Sequence, residues 1–148
     1  FGWSPSGRRS LSDFFFYNLQ AGKRVQGFTD VYFCPLLAND LAHLLLQMLS
    51  AGLQGLYHAV SRDCLNKYDF GVALARQFGL DEGLIQPASV EESGLKAARA
   101  PRLTLRSEKL ASALGRPNPS YISGIEQLYA LHQQGYPEAL KQLVSHQP

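Results

Sequence analysis

The stretch 28–60, FTDVYFCPLLANDLAHLLLQMLSAGLQGLYHAV, restricts the fold more than any other part of the chain. Pro35 sets a rigid break, because its ring fixes φ and removes a backbone donor. Asn39 and Asp40 are short polar residues of the kind that cap helix starts. Leu41, Leu44, Leu45, Met48 and Leu49 then recur at helical spacing, which predicts a helix over 41–50. Gly52 suits the left-handed position that ends such a helix. Gly55-Leu56-Tyr57-His58-Ala59-Val60 is short and mostly apolar, and predicts a strand over 56–60. A helix followed within a few residues by an apolar strand is half of an α/β unit.

The flanking segments add layers to this unit. Ser10 with Asp13 three residues on is an Asp version of the capping box, and predicts a helix over 11–21 with Leu11, Phe14, Phe15 and Leu19 inward and Gly22 closing it. Residues 23–28 predict a short edge strand, and 61–65 a loop. Asn66 caps a predicted helix over 67–78, with Phe70, Leu74 and Phe78 at fourfold spacing and Gly79 as its stop. A turn over 81–83 and a short extended piece at Leu84-Ile85 follow. Residues 89–100 predict a loop and 102–105 an extended piece. Ser107 starts a helix over 108–114, Ser120 one to about Gln134, and the break at Gly135-Tyr136-Pro137 leaves a helical tail over 138–145. One clear strand is too little sheet for so many helices. The strand over 56–60 is therefore expected to belong to a sheet whose other strands this chain does not encode, the other option being a mostly helical chain. Phe1-Gly2-Trp3 likewise reads as the end of an internal strand.

A chain of 148 residues, 45% apolar and 18% charged, has the size and composition of a single soluble globular region. No apolar run approaches the ~18–20 residues that span a bilayer, and FGWSPSGRRS has no signal-peptide pattern. The expectation is a cytoplasmic protein with no membrane partner. A net charge of +2 gives no reason to expect nucleic acid. Cys34 and Cys64 lack metal-ligand spacing, and two reduced thiols are the expectation for such a compartment.

No self-contained catalytic machine is legible. A dinucleotide needs a glycine-rich turn between strand and helix, and neither G-x-G-x-x-G nor a P-loop occurs. No tyrosine has a lysine four residues on; Tyr136 and Lys141 miss by one. His43 reads as a surface residue and His58 as a hydrogen-bonded structural one. No Cys/His/Asp cluster has metal spacing. Binding chemistry is easier to find. Trp3 on a Gly- and Pro-containing loop offers a stacking surface. Arg8 and Arg9 precede a helix start, which favours an anion. Lys96, Arg99, Arg102, Arg106 and Lys109 are opposed locally only by Glu108; Arg99 and Arg102 flank Pro101 and can fork onto a phosphate. A solvated basic face is the competing explanation of that cluster.

Several stretches in series resemble one family. They are Phe1-Gly2-Trp3, Ala21-Gly22, Phe28-Thr29-Asp30 with Pro35, Asn39-Asp40-Leu41-Ala42, Gly55-Leu56-Tyr57-His58 and Tyr68-Asp69-Phe70. Phe78-Gly79-Leu80-Asp81 with Leu84-Ile85 and Pro87 comes next, and then 99–105 with Lys109-Leu110. In order and spacing they resemble the C-terminal half of extended short-chain dehydrogenase/reductases, in the dTDP-4-dehydrorhamnose reductase-like, sugar-nucleotide-modifying branch, over most of the chain up to about Tyr129. The resemblance implies an α/β fold: the C-terminal substrate-binding part of a Rossmann-type protein, mostly helical with a few short strands, the whole of 1–148 forming one substrate-binding lobe. It implies that the glycine-rich NAD or NADP turn and the Tyr-x-x-x-Lys pair belong to an N-terminal half absent here, so no catalytic or cofactor-binding residue is expected in this chain. It implies that the Gly2-Trp3 loop approaches the sugar, that 23–30, including Asp30, lies near the nucleotide, and that Arg99 or Arg102 lies near the diphosphate, with Arg8 a further candidate contact. Two departures stand out: Arg99-Ala100-Pro101 where an Arg-Pro pair is usual, and Phe33 where a small or basic residue is common. The implied role is the substrate-binding portion of an NAD(P)-dependent sugar-nucleotide reductase or epimerase. Its partners would be a nucleotide-sugar and either the missing half or a second copy of the chain. The alternative is a non-catalytic regulatory or assembly module of the same fold.

Overall fold

The fold is read from a computed structural model, which describes residues 1–6, 10–93, 100 and 102–145. The elements in chain order are α1 (Leu11–Gln20), β1 (Val25–Phe28), β2 (Tyr32–Phe33), α2 (Ala38–Ser50), β3 (Leu65–Asn66), α3 (Lys67–Phe78), β4 (Ile85–Ala88), β5 (Arg102–Leu103), α4 (Glu108–Leu114), α5 (Tyr121–Gln133) and α6 (Tyr136–Ser145). Short 3-10 turns occupy Glu82–Leu84 and Glu91–Ser93. The mixed α/β, mostly helical architecture is the one implied by the resemblance.

Local chemistry explains most boundaries. The Ser10 side chain accepts the Asp13 N–H while the Asp13 carboxylate accepts the Ser10 N–H, so α1 starts with the predicted capping box. Asn66 accepts the Asp69 N–H at the start of α3, and Ser120 that of Ser123 at the start of α5. Gly79 and Gly115 end α3 and α4 in the left-handed conformation.

Helix α3 is the central element. It packs on α1, α5, β1 and β4. Phe70 and Leu74 are fully buried, and the Phe70 ring lies edge-on to Phe1 at 5.1 Å and Phe33 at 5.7 Å. Close approach depends on absent side chains: a Cβ on Gly71 would stand 2.6 Å from the Phe15 ring, and one on Gly27 would stand 2.8 Å from the Tyr68 backbone. β1 and β4 pair in parallel, Val25 opposite Ile85. β2 pairs antiparallel with β3 and parallel with β5, giving the order β3-β2-β5.

Several expectations are corrected. Helix α2 starts at Ala38, not Leu41; Asn39 and Asp40 lie in its first turn, and the preceding Leu37 makes no side-chain cap. The first-turn amides follow directly from the extended Pro35–Leu37 backbone, and Ala38 N–H donates to Phe1 O at 2.8 Å. The Phe1 nitrogen donates to Leu36 O at 2.8 Å, so Phe1 lies beside 36–38 in the hydrogen-bond pattern of a parallel strand pair. Residues 56–60 carry no regular secondary structure and form no ladder among the described residues. They are tied down by side chains instead: Lys109 Nζ donates to Leu56 O at 2.6 Å and lies 4.3 Å from the Tyr57 ring centroid, and Asn118 Nδ2 donates to Val60 O at 2.8 Å. Helix α6 starts at Tyr136, with Pro137 in its first turn, where the missing N–H costs nothing. β4 runs through Pro87, which two-stranded pairing tolerates.

The two cysteines are not reduced thiols: Cys34 and Cys64 are joined in a disulfide. The cause is register. Tyr32 faces Asn66 and Phe33 faces Leu65, which sets Cys34 opposite Cys64 with Cα atoms 4.0 Å apart.

Of the apolar set on α2, Leu44 is buried on Leu36 and Leu110, whereas Leu45 (52%) and Leu49 (78%) are exposed, as is Leu56 (76%). Leu45 and Leu49, one turn apart on α2, form an uncovered apolar strip on that helix, and Leu56 is exposed as well.

Candidate functional site

The alternation of β1 builds one wall of a cleft. Val25 and Gly27 point into the core, so Gln26 and Phe28 point out. The opposite wall is α1. Phe15, Phe16 and Leu19 hold that helix in the core, which turns Phe14 outward at 41% exposure, with Asn18 one turn further on. The expectation that Phe14 is an inner residue is thereby corrected, while Phe16 takes its place. Arg24 enters at the start of β1, and Lys67 at the first position of α3. The result is a cleft of about 390 Å³ lined by Leu11, Phe14, Phe15, Asn18, Arg24, Val25, Gln26, Phe28 and Lys67. The Lys67 ammonium lies 5.7 Å from the Phe28 ring centroid, and its backbone N–H donates to Val31 O at 3.2 Å. Three phenylalanine rings, of which Phe15 is buried, two cations and two side-chain amides thus line one space. Rings stack on planar heterocycles, cations take phosphate, and amides offer both donors and acceptors.

The residues expected to bind fall into separate places. Asp30 ends the turn after β1. Its carboxylate accepts the Ser89 hydroxyl at 2.5 Å and the Val90 N–H at 3.0 Å, and these bonds, Ser89 first, hold its pKa below the ordinary carboxylate value. Asp30 therefore fastens the chain after β4 to the rim beside β1. A carboxylate with a lowered folded-state pKa stabilises the fold above its ordinary value, and that contribution disappears as pH falls through the lowered one. Asp30→Asn is expected to flatten the acid limb of a stability-versus-pH curve below about pH 4. Circular dichroism melts across that range test this; an unchanged acid limb contradicts it. Arg102 is exposed on β5 opposite Tyr32, two residues past Asp30. Arg8 and Arg99, with Lys96 of the basic cluster, lie outside the described residues.

Gly2 and Trp3 belong to another part of the lobe. The Gly2 N–H donates to Ser12 Oγ at 3.0 Å, and a Cβ on Gly2 would stand 3.2 Å from the Ala38 side chain. Trp3 is 9% exposed, its indole N–H donates to Leu128 O at 3.0 Å, and its ring packs among Phe16, Phe78 and His132. Trp3 also lines a second depression with Pro5, Ala38, Asn39 and Tyr136. This depression has no lining residue in common with the cleft. His58 has the structural role expected of it, with Nδ1 3.3 Å from Arg106 O.

Sequence reasoning reached the cleft only through 23–30; Phe14, Asn18 and Lys67 were missed. One signal for Phe14 was present: in Phe14-Phe15-Phe16 three successive rings cannot all share one helix face.

The nicotinamide dinucleotide implied by the resemblance needs free helix-start amides behind a glycine-rich turn. The starts of α1, α3 and α5 are instead occupied by Ser10, Asn66 and Ser120, and α2 follows Pro35-Leu36-Leu37. These helix starts do not fit the cofactor's pyrophosphate. No group of His, Cys, Asp or Glu among the described residues is arranged to hold a metal. No helix among them is long and apolar enough to cross a membrane.

Known proteins bear on this geometry. The chain is 30% identical over 112 residues to the probable low-salt glycan biosynthesis reductase Agl14 of Haloferax volcanii, covering 76% of this chain and 37% of that protein. The fold is similar to dTDP-4-dehydrorhamnose reductase from Bacillus anthracis, solved with NADP, with a TM-score of 0.75 at 18% identity over 82% of this chain and 43% of that one. It is also similar to a dTDP-4-dehydrorhamnose reductase from Clostridium acetobutylicum, with a TM-score of 0.76 at 19% identity over 84% and 44% of the two chains. The chain thus spans less than half the length of these relatives. The RmlD substrate binding domain matches residues 6–134, and the chain belongs to that family.

Proposed function

We propose that this lobe holds the nucleotide-sugar substrate of an NAD(P)-dependent reductase or epimerase, and that the cleft between α1 and β1 takes the nucleotide. The observation that carries the reading is the meeting of Phe14 and Phe28 with Arg24 and Lys67 in one space. The base lies against the rings, and the two cations hold the diphosphate. Arg102, and Arg8 and Arg99 with it, are candidates for further phosphate contacts, and Asp30 shapes the rim. Gly2 and Trp3 act by packing, setting the start of α2 against α1 on the sugar side.

The chemistry implied by the family is hydride transfer at a sugar C4 keto group. The cofactor supplies the hydride. This chain's residues bind and orient the substrate; the redox group and the catalytic proton belong to a dinucleotide-binding half. We place that half on the exposed leucines of α2, because the chain spans less than half the length of each of these relatives.

Calorimetric titration with dTDP and UDP tests the reading. Arg24→Ala and Lys67→Ala each remove one charged contact to phosphate, so each is expected to weaken binding about tenfold or more. Binding of neither nucleotide would instead favour the assembly-module reading, which the same exposed leucines support.

A further inference from the structure

The Cys34–Cys64 bridge is asymmetric. Cys64 is exposed, whereas Cys34 is 8% exposed. The Leu105 N–H is directed at Cys34 Sγ with an N···S distance of 3.3 Å, and the Leu105 carbonyl oxygen lies 3.5 Å from the same sulfur. One cysteine of the bridge is therefore exposed, and the other is covered, its sulfur held against a backbone donor and acceptor.

We propose that this bridge is a thiol-exchange site, with the Cys64 sulfur as the point of attack by a small thiol of the glutathione class and Cys34 as the resolving thiol. An incoming thiolate reaches a disulfide sulfur in line with the S–S bond, and of the two residues Cys64 is the exposed one. The new bond forms between the external sulfur and Cys64 Sγ. The Cys34–Cys64 bond breaks, and its electron pair leaves on Cys34 Sγ. Burial works against the departing charge, and the Leu105 N–H offsets this by donating to it. Once protonated, the Cys34 thiol has the Leu105 carbonyl as its acceptor. A second external thiolate then attacks the cap's sulfur, the bond from the cap to Cys64 Sγ breaks, and the oxidised external disulfide and the Cys64 thiolate are released. The bridge gains two electrons and the external thiol pair loses two. In the reverse direction the Cys34 thiolate expels the cap from Cys64 and restores the bridge.

None of this involves the cleft, so its test is independent of the ligand reading. The oxidised chain is incubated with reduced glutathione in native buffer, quenched in acid and mapped by peptide mass spectrometry. The expected first product carries one glutathione on Cys64 and a free thiol on Cys34, followed by the dithiol chain. In Cys34→Ser, the Cys64 thiol is expected to take up a cap from oxidised glutathione under native conditions. In Cys64→Ser, Cys34 is expected to do so only in denaturant. A first adduct on Cys34 overturns the proposal. So does a bridge that resists glutathione until the chain is unfolded, or air-equilibrated chain holding two free thiols.

Discussion

Phe70→Ala is expected to lower the stability of the lobe by about 3–5 kcal/mol, the cost of emptying a fully enclosed aromatic site. The Phe70 ring is 0% exposed and stands at the crossing of α3 with α1 and with the segment that carries β2. Its neighbours are Phe1, Phe15 and Phe33, which belong to three different stretches of the chain. They cannot all move into one cavity, because Phe15 is held against Gly71 with no room for a Cβ. In a chain of this size, each kcal/mol moves the midpoint by roughly 2–4 °C, so the melting curve shifts by roughly 6–20 °C. Urea titration should show a lower midpoint with an unchanged slope. Phe14→Ala is the matched control. The same residue type on the same helix is 41% exposed, so its removal should cost well under half as much. Its effect should appear in ligand binding instead. Equal losses from the two variants would contradict the assignment of Phe70 to the core and Phe14 to the cleft.

Opening the disulfide is expected to cost about 3–4 kcal/mol on the chain-entropy account. The bridge spans 30 residues and encloses α2 together with the 56–60 segment. On that account the size of the effect follows from the length of the closed loop. Cys64→Ser should reproduce the effect of reduction. Cys64 is exposed, so little packing is lost and the loop-closure contribution is isolated. The check is the denaturation midpoint of wild type with and without reductant beside that of the variant. A wild-type midpoint indifferent to reductant would contradict the account.

These two features also mark how far the sequence could be read. The capping box at Ser10 and Asp13, the Asn66 cap and the Gly79 and Gly115 stops are interactions between residues a few positions apart, so they were legible. The disulfide was not, because it follows from the pairing of Phe33 with Leu65, a contact between distant segments. The 56–60 segment has strand composition, but composition cannot say whether a partner strand lies beside it. In this chain, lysine, histidine and asparagine side chains hold it instead. Trp3 misled for a related reason. A tryptophan in a Gly- and Pro-containing loop suggests an exposed surface, yet Leu128 on α5 supplies its acceptor and four other rings enclose it. The cleft was half legible. Residues 23–30 were placed near the nucleotide through family resemblance, whereas Phe14 and Lys67 join them only through the packing of α1 and α3 around β1.

The central claim is that the α1–β1 cleft receives the nucleotide. Amide chemical-shift mapping of the labelled chain during titration with dTDP tests it most directly. The account predicts saturable shifts concentrated at Phe14, Asn18, 24–28 and Lys67, lost in the Arg24→Ala, Lys67→Ala double variant. Shifts centred on α2, or on the depression beside Trp3 and Tyr136, would contradict it.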